Sequence, residues 1–178
     1  MKAEPEASAK ARTRRSPRWG LLAAAGLVLL VVWPVRVFVA EPFAIPSESM
    51  APTLRPGDRV LVEKLSYWLG SPARGDLVVF EAPGGGALAV KRIVGLPGDR
   101  VAIEDGVLAV NGRLRREPFV DYARMDSVYF GPVVVPPGDV FVLGDNRADS
   151  EDSRAYGAVP RRALIGRVLT TLWPLIRR

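Results

Sequence analysis

Leu88 to Arg113 reads LAVKRIVGLPGDRVAIEDGVLAVNGR. Three apolar runs, at 88–94, 100–104 and 107–110, are punctuated by Pro97-Gly98-Asp99 and closed by Asn111-Gly112. Short runs rich in Val, Ile and Leu, bounded by Gly and Pro, predict strands. Proline fixes φ and glycine supplies the positive φ of a type II turn, so Pro-Gly-Asp is a strand-entry device. Asn-Gly predicts a type I′ hairpin. The same grammar recurs outward in both directions. Pro56-Gly57-Asp58 precedes RVLVEK at 59–64, Pro137-Gly138-Asp139 precedes VFVL at 140–143, and DLVVFEA at 76–82 and IGRVLTTLW at 165–173 complete the set. With 17 Gly and 16 Pro in 178 residues, the chain is expected to be mainly β, with one domain from 41 to 178 and a small excursion near 115–132.

The amino-terminal part has a different character. Residues 1–18 carry six basic and two acidic side chains, so a net +4 of the chain's +6 sits in this tail. What remains, 19 basic against 17 acidic groups, is no electrostatic footprint for nucleic acid. Trp19 to Ala40, WGLLAAAGLVLLVVWPVRVFVA, follows directly, interrupted only by Pro34 and Arg36. As a helix it would reach roughly 33 Å, enough for a ~30 Å hydrocarbon layer. The expectation is a basic cytoplasmic tail at 1–18, a single transmembrane helix at 19–40 in the bilayer of the cytoplasmic membrane, and a domain on its outer face. A cleaved leader fits less well, since a cut after Ala40 would leave bulky Phe38 at the third position back.

The absence of His and Cys excludes Ser-His-Asp and Cys-His systems, zinc fingers and disulfides. A hydrolase built from this chain would take its base from Lys, a carboxylate or an oxygen-ligated metal. Three segments carry polar residues beyond the needs of turns. In EPFAIPSESMAPTL, 41–54, Ser47 and Ser49 stand among Phe43, Ile45, Met50 and Leu54; a proline-rich linker is the plain alternative. In ALAVKRIVG, alternation puts Lys91 with Ala89 and Ile93 on one face, and Arg92 with Val90 and Val94 on the other. Burial would lower the pKa of such a lysine and let it accept a serine proton; a solvated edge is the alternative. In VLGDNRADSEDSRAYG, 142–157, the calcium-loop pattern fails because Arg147 and Ser150 hold the wrong positions. An aspartic dyad is disfavoured by nearby arginines, and a network pairing Asp152 with Arg154 or Arg92 fits better. Neither G-x-S-x-G nor S-x-x-K is present.

Taken together, the three segments resemble the bacterial type I signal peptidase family. Its pattern P-S-x-S-M-x-P-T-L stands at 46–54, K-R-[IV]-x-G-x-P-G-D at 91–99, and G-D-N-x-x-x-S-x-D-S-R at 144–154, while Gly75 to Phe80 resembles a further family box. The resemblance implies an antiparallel β-sheet catalytic domain behind its anchor, acting as a Ser/Lys endopeptidase that removes signal peptides from exported preproteins, with no metal and no cofactor. Carried over residue by residue, Ser49 is the nucleophile and Lys91 the general base. Ser150 orients the amine, Ser47 serves the oxyanion, and Asp152, Arg154 and Arg92 brace the site. Phe43, Ile45, Met50, Leu54 and Val90 would line shallow pockets for small side chains, selecting Ala-x-Ala-like sites. Larger members have further anchor segments and a bigger insertion after the lysine strand, and some carry a bulkier residue in place of Ala89. Two other readings are a self-cleaving repressor-type peptidase, which would need a DNA-binding module instead of an anchor, and a membrane-tethered binding module whose serine and lysine do no chemistry.

Overall fold

The computed structural model describes Gly20, Leu22, Gly26, Leu27, Val28, Leu30 and Val32, then residues 40–125 and 128–173. The basic tail, most of the expected span at 19–40, and the tail from Pro174 lie outside the described residues. Contacts divide the chain into two units, 1–35 and 36–178. Within the first, the described residues are helical and expose their side chains. Among the described residues no helix is long and apolar enough to cross a membrane.

The second unit is built of antiparallel strands. In chain order they are β1 (Ala40–Ala44), β2 (Arg59–Glu63), β3 (Leu77–Glu81), β4 (Leu88–Gly95), β5 (Arg100–Glu104), β6 (Val107–Val110), β7 (Arg113–Arg115), β8 (Phe130–Val134), β9 (Asp139–Leu143), β10 (Val159–Pro160) and β11 (Leu164–Trp173), with short helices α1 (Leu65–Leu69) and α2 (Ser153–Tyr156). One sheet has the order β1-β2-β11-β3-β4-β9-β10, the other β7-β6-β5-β8. All seven apolar runs read from the sequence are strands. The glycines of the three Pro-Gly-Asp turns have φ of 86°, 85° and 82°, and Asn111 and Gly112 have 55° and 73°, as type II and type I′ turns require. Asp105-Gly106 forms a second positive-φ pair between β5 and β6.

Four strands have no counterpart in the sequence reading: β1, β7, β8 and β10. β1 opens at Ala40, the last residue of the expected span, and occupies what reads as linker. The excursion from 115 begins in β7 and returns through a 3₁₀ turn (Tyr122–Arg124) to β8. These strands hold two to five residues, three of them contain proline, and all four lie at sheet edges, where a missing N–H is tolerated.

Alternation along β3 and β4 sends apolar side chains to both faces of the larger sheet. Val78, Phe80 and Ile93 pack with Val140, Val142, Val159 and Leu164 on one face. Val79 and Val90 pack with Ile45, Met50, Leu54, Val60 and Val62 on the other. A third cluster, Val94, Val101, Ile103, Leu108, Phe141 and Leu143, joins the two sheets where β4 hands over to β5.

Asp99, at that handover, ties the sheets together. It accepts from the Leu96 N–H (2.6 Å), Asn111 Nδ2 (2.8 Å) and Arg74 Nη2 (2.7 Å). Burial by itself would raise its carboxyl, but these hydrogen bonds and the Arg74 charge outweigh it and hold it below the usual carboxylate range. A depressed carboxyl stabilises the fold above the ordinary ~3.9 and loses that contribution as pH falls. Asp99→Ala is expected to cost about 1–3 kcal/mol and to flatten the acid end of the stability curve. Thermal melts from pH 3 to 7 check this, and an unchanged melting temperature at neutral pH would remove Asp99 from this role.

Candidate active site

β1 runs into Ile45-Pro46-Ser47 and a single 3₁₀ turn, Glu48–Met50. Ile45, Met50 and Leu54 are buried and hold this segment against the sheet from one side. The intervening serines therefore face outward, Ser47 exposed and Ser49 half-buried, with their Oγ atoms 3.2 Å apart.

Lys91 stands on β4 directly opposite Val78, with Ala89 opposite Phe80. It is only 5% exposed, and among the described residues it makes no hydrogen bond and no ion pair. Burial pushes its amine below the usual lysine range; the Asp152 carboxylate opposes that shift and the Arg154 guanidinium adds to it. Both faces of β4 become core, Ile93 lying on that of Lys91 and Val90 and Val94 on that of Arg92; Lys91 is buried and Arg92 half-buried.

The third segment leaves β9 at Leu143 and reaches α2 at Ser153. Its backbone is laid against the serine turn: the Asn146 N–H donates to the Ser49 carbonyl (3.1 Å) and Asn146 Nδ2 to the Glu48 carbonyl (3.3 Å). Asp152, fully buried, caps α2 and accepts from the Gly144 N–H (3.1 Å), the Arg154 N–H (3.2 Å) and Arg154 Nε (2.8 Å). Arg154 Nη2 also reaches the carbonyls of Arg147 and Ser150. Ser150 Oγ is buried and has no hydrogen-bond partner among the described residues.

The two alternatives left for Asp152 resolve here. Its partner is Arg154, while Arg92 forks onto Asp145 at 2.8 and 2.6 Å. Asp145, with a fully buried side chain, also accepts from Thr53 Oγ1 at 2.5 Å. One carboxylate therefore joins the serine segment, the lysine strand and the third segment. Neither the pairing of Asp145 with Arg92 nor its contact with Thr53 is among the expectations from sequence. The signal lay in Arg92 itself, a guanidinium beside apolar neighbours that needs a carboxylate within reach.

Ser47, Ser49 and Lys91 open into one cleft of about 540 Å³, whose other walls are small or aromatic, as at Ala87, Ala89 and Tyr156, and acidic at Glu48, Asp149 and Glu151. No hydrogen bond joins Ser49 Oγ to Lys91 Nζ. Asp152, Arg154, Arg92 and Ser150 stand behind the cleft rather than on its wall. Ile45, Met50, Leu54 and Val90 are packed in one buried cluster beneath the serine turn with Phe43 half-buried against it, and none of the five lines the cleft. Among the described residues no group of His, Cys, Asp or Glu is arranged to hold a metal ion.

A family model described as signal peptidase, peptidase S26, matches residues 18–173. The probable signal peptidase I-2 of Synechocystis sp. is 44% identical, over 80% of this chain and 67% of that protein. Signal peptidase I of Bacillus caldolyticus is 37% identical, over 93% of this chain and 94% of that protein. A solved structure of a signal peptidase I from Enterococcus faecalis V583 aligns at 34% identity with a TM-score of 0.49, covering 56% of this chain and 97% of that one.

Gly144 shows how tightly the segments meet. A Cβ there would fall 2.5 Å from the Ser49 carbonyl oxygen and onto Ser150 Oγ and Cβ. Gly144→Ala is expected to destabilise by about 1–3 kcal/mol and to speed amide exchange at Asn146. Melting curves and hydrogen exchange check it, and wild-type values for both would mean that the contact is slack.

Proposed function

The chain belongs to the signal peptidase family, peptidase S26, and on that premise we propose that it is a single-pass serine endopeptidase of the cytoplasmic membrane that removes amino-terminal signal peptides from exported preproteins, with Ser49 as nucleophile and Lys91 as general base. The observation that carries this reading is one cleft bearing Ser47, Ser49 and a buried lysine that forms no ion pair among the described residues. An unpaired lysine among apolar neighbours is costly as a structural device and useful as a base.

Neutral Lys91 takes the Ser49 proton as Oγ attacks the scissile carbonyl. The lone pair displaced onto the carbonyl oxygen is met by the Ser49 N–H and by the Ser47 hydroxyl, which lies 3.2 Å from Ser49 Oγ. Collapse of the tetrahedral species breaks the C–N bond, and the Lys91 ammonium returns its proton to the leaving amine. A water, deprotonated by the same amine, then hydrolyses the acyl-enzyme. Ser150 Oγ supplies the free hydroxyl that orients the amine, and Asp152 with Arg154 holds its loop in place. The gap between Ser49 Oγ and Lys91 Nζ is closed when bound peptide aligns the pair, since catalytic hydrogen bonds are often long in empty sites.

β4 offers the substrate a free edge. Its pairing with β9 begins at Arg92, beyond which the chain turns away at Gly144, so 88–91 have β3 on one side only among the described residues. An extended segment adds there as a further strand. Its small side chains enter the cleft beside Ala87 and Ala89, where the walls admit alanine and reject bulk, while the buried cluster of Ile45, Met50, Leu54 and Val90, with Phe43 against it, supports the serine turn from beneath. The lipid bilayer is the second partner, through the apolar span at 19–40 that separates a basic cytoplasmic tail, 1–18, from the peptidase domain, 41–178.

Two measurements test this. Ser49→Ala and Lys91→Ala are each expected to lower cleavage of an Ala-x-Ala preprotein by about 10³-fold or more while melting like wild type. Equal cutting by the wild type and both folded variants would replace the peptidase with a binding module. The pH–rate profile supplies the second: because only the neutral amine accepts a proton, the rate should rise with pH through an apparent pKa clearly below the ~10.4 of free lysine. A limb at the free value would remove Lys91 as the base.

A further inference from the structure

After β7 the chain passes through Glu117, Pro118 and Phe119 before the 3₁₀ turn at Tyr122, and these residues reach back from the smaller sheet to the segment between β9 and α2. The Glu117 N–H is held by the Tyr122 hydroxyl at 2.6 Å. Its carboxylate accepts from Arg147 Nη2. Two residues on, the Phe119 ring lies 4.1 Å from the Arg92 guanidinium carbon.

Arg147 is an unusual tenant. Its side chain is fully buried, Nε donates to the Gly144 carbonyl at 3.0 Å, and Nη1 is buried with no acceptor among the described residues. Its own carbonyl accepts from Arg154 Nη2 at 2.8 Å. Glu117, half-buried, is the carboxylate paired with this cation. A guanidinium left unpaired inside a protein moves to water or drags its backbone with it. The backbone it would drag is the loop from Gly144 to Ser150, the same loop that bonds the Ser49 carbonyl through Asn146 and keeps Ser150 under Gly144.

We propose that Glu117 is a positioning residue for the Ser49/Lys91 site, acting through Arg147 to fix the Gly144–Ser150 loop against the serine turn. The inference rests on the Ser/Lys reading above for its consequence in catalysis and on the Arg147 geometry for the fixing itself. It gives the segment after β7 a task in the site that neither its composition nor its place in the smaller sheet announces.

The experiment uses the detergent-solubilised full chain cleaving an Ala-x-Ala preprotein, with Ser49→Ala as the blank. Glu117→Gln is expected to lower kcat about 10- to 100-fold with KM nearly unchanged. It should also carry the acid limb of the profile upward, because a loosened loop lets water reach Lys91. Glu117→Asp, which keeps the charge, is expected to recover part of kcat. The pair Glu117→Met with Arg147→Met removes the buried charge without orphaning either partner, so it should melt near wild type yet remain slow, since the Arg147 bond to Gly144 is gone. A normal kcat in that pair, or a folded Glu117→Gln with wild-type kcat and acid limb, would overturn the proposal. If the wild type shows no Ser49-dependent cleavage, the Ser/Lys reading falls on its own. Amide exchange at Asn146 then still decides the loop-fixing role: faster exchange in Glu117→Gln supports it and unchanged exchange rejects it.

Discussion

The Asp145 carboxylate is the constraint on which the rest of the site depends. A carboxylate with no solvent exposure is costly unless both oxygens find donors, and here a forked guanidinium and a hydroxyl meet that demand. Thr53 lies 92 residues from it and Arg92 lies 53. Each of the three reactive segments contributes one member of this trio, so the fold cannot satisfy Asp145 without also bringing Ser49, Lys91 and Ser150 into one neighbourhood. The hydrogen bond from the Asn146 N–H to the Ser49 carbonyl, one residue further on, sets the final spacing.

Legibility in the sequence followed the range of the interactions involved. Strands β2 to β6, β9 and β11, together with their turns, were readable because hydrophobic alternation and positive-φ turns are local properties. β1 was not: AEPFA has a proline and a glutamate, and it is a strand only because β2 lies beside it. β7, three arginine- and leucine-bearing residues exposed throughout, owes its assignment to pairing with β6 in the same way. The serines and the lysine could be singled out as residue types in unusual company. Which aspartate takes which arginine could not, since Asp145 and Asp152 both have arginines within plausible reach and only the register of β4 against β9 separates them.

A peptidase-like site without histidine must make its base by environment rather than by side-chain type. In the proposed mechanism Lys91 can serve as that base because Val78, Phe80, Ile93 and their neighbours exclude water from one face of β4. Asp152 works against this, since its charge favours the ammonium, but Arg154 takes that carboxylate in a close fork and blunts its effect on Lys91. The bonds of Asp152 to α2, Gly144 and Arg154 therefore serve two ends, holding the loop and weakening the pull of a necessary carboxylate toward the ammonium form of Lys91.

It follows that packing and reactivity are coupled in this domain more closely than where a histidine sits in a solvated groove. On the proposed mechanism, loosening the loop over Lys91 would return water to the amine, raise its pKa and remove the base at neutral pH even with every reacting atom still present. The same loosening costs little in a triad whose base already titrates near neutrality. On that mechanism, residues remote from the chemistry, among them Thr53, Asp145, Arg147 and Glu117, would bear on the rate through the dryness of one side chain. The buried ion pairs around the site make sense in those terms: apolar replacements would be at least as stabilising, but they would not fix the loop's direction over the lysine.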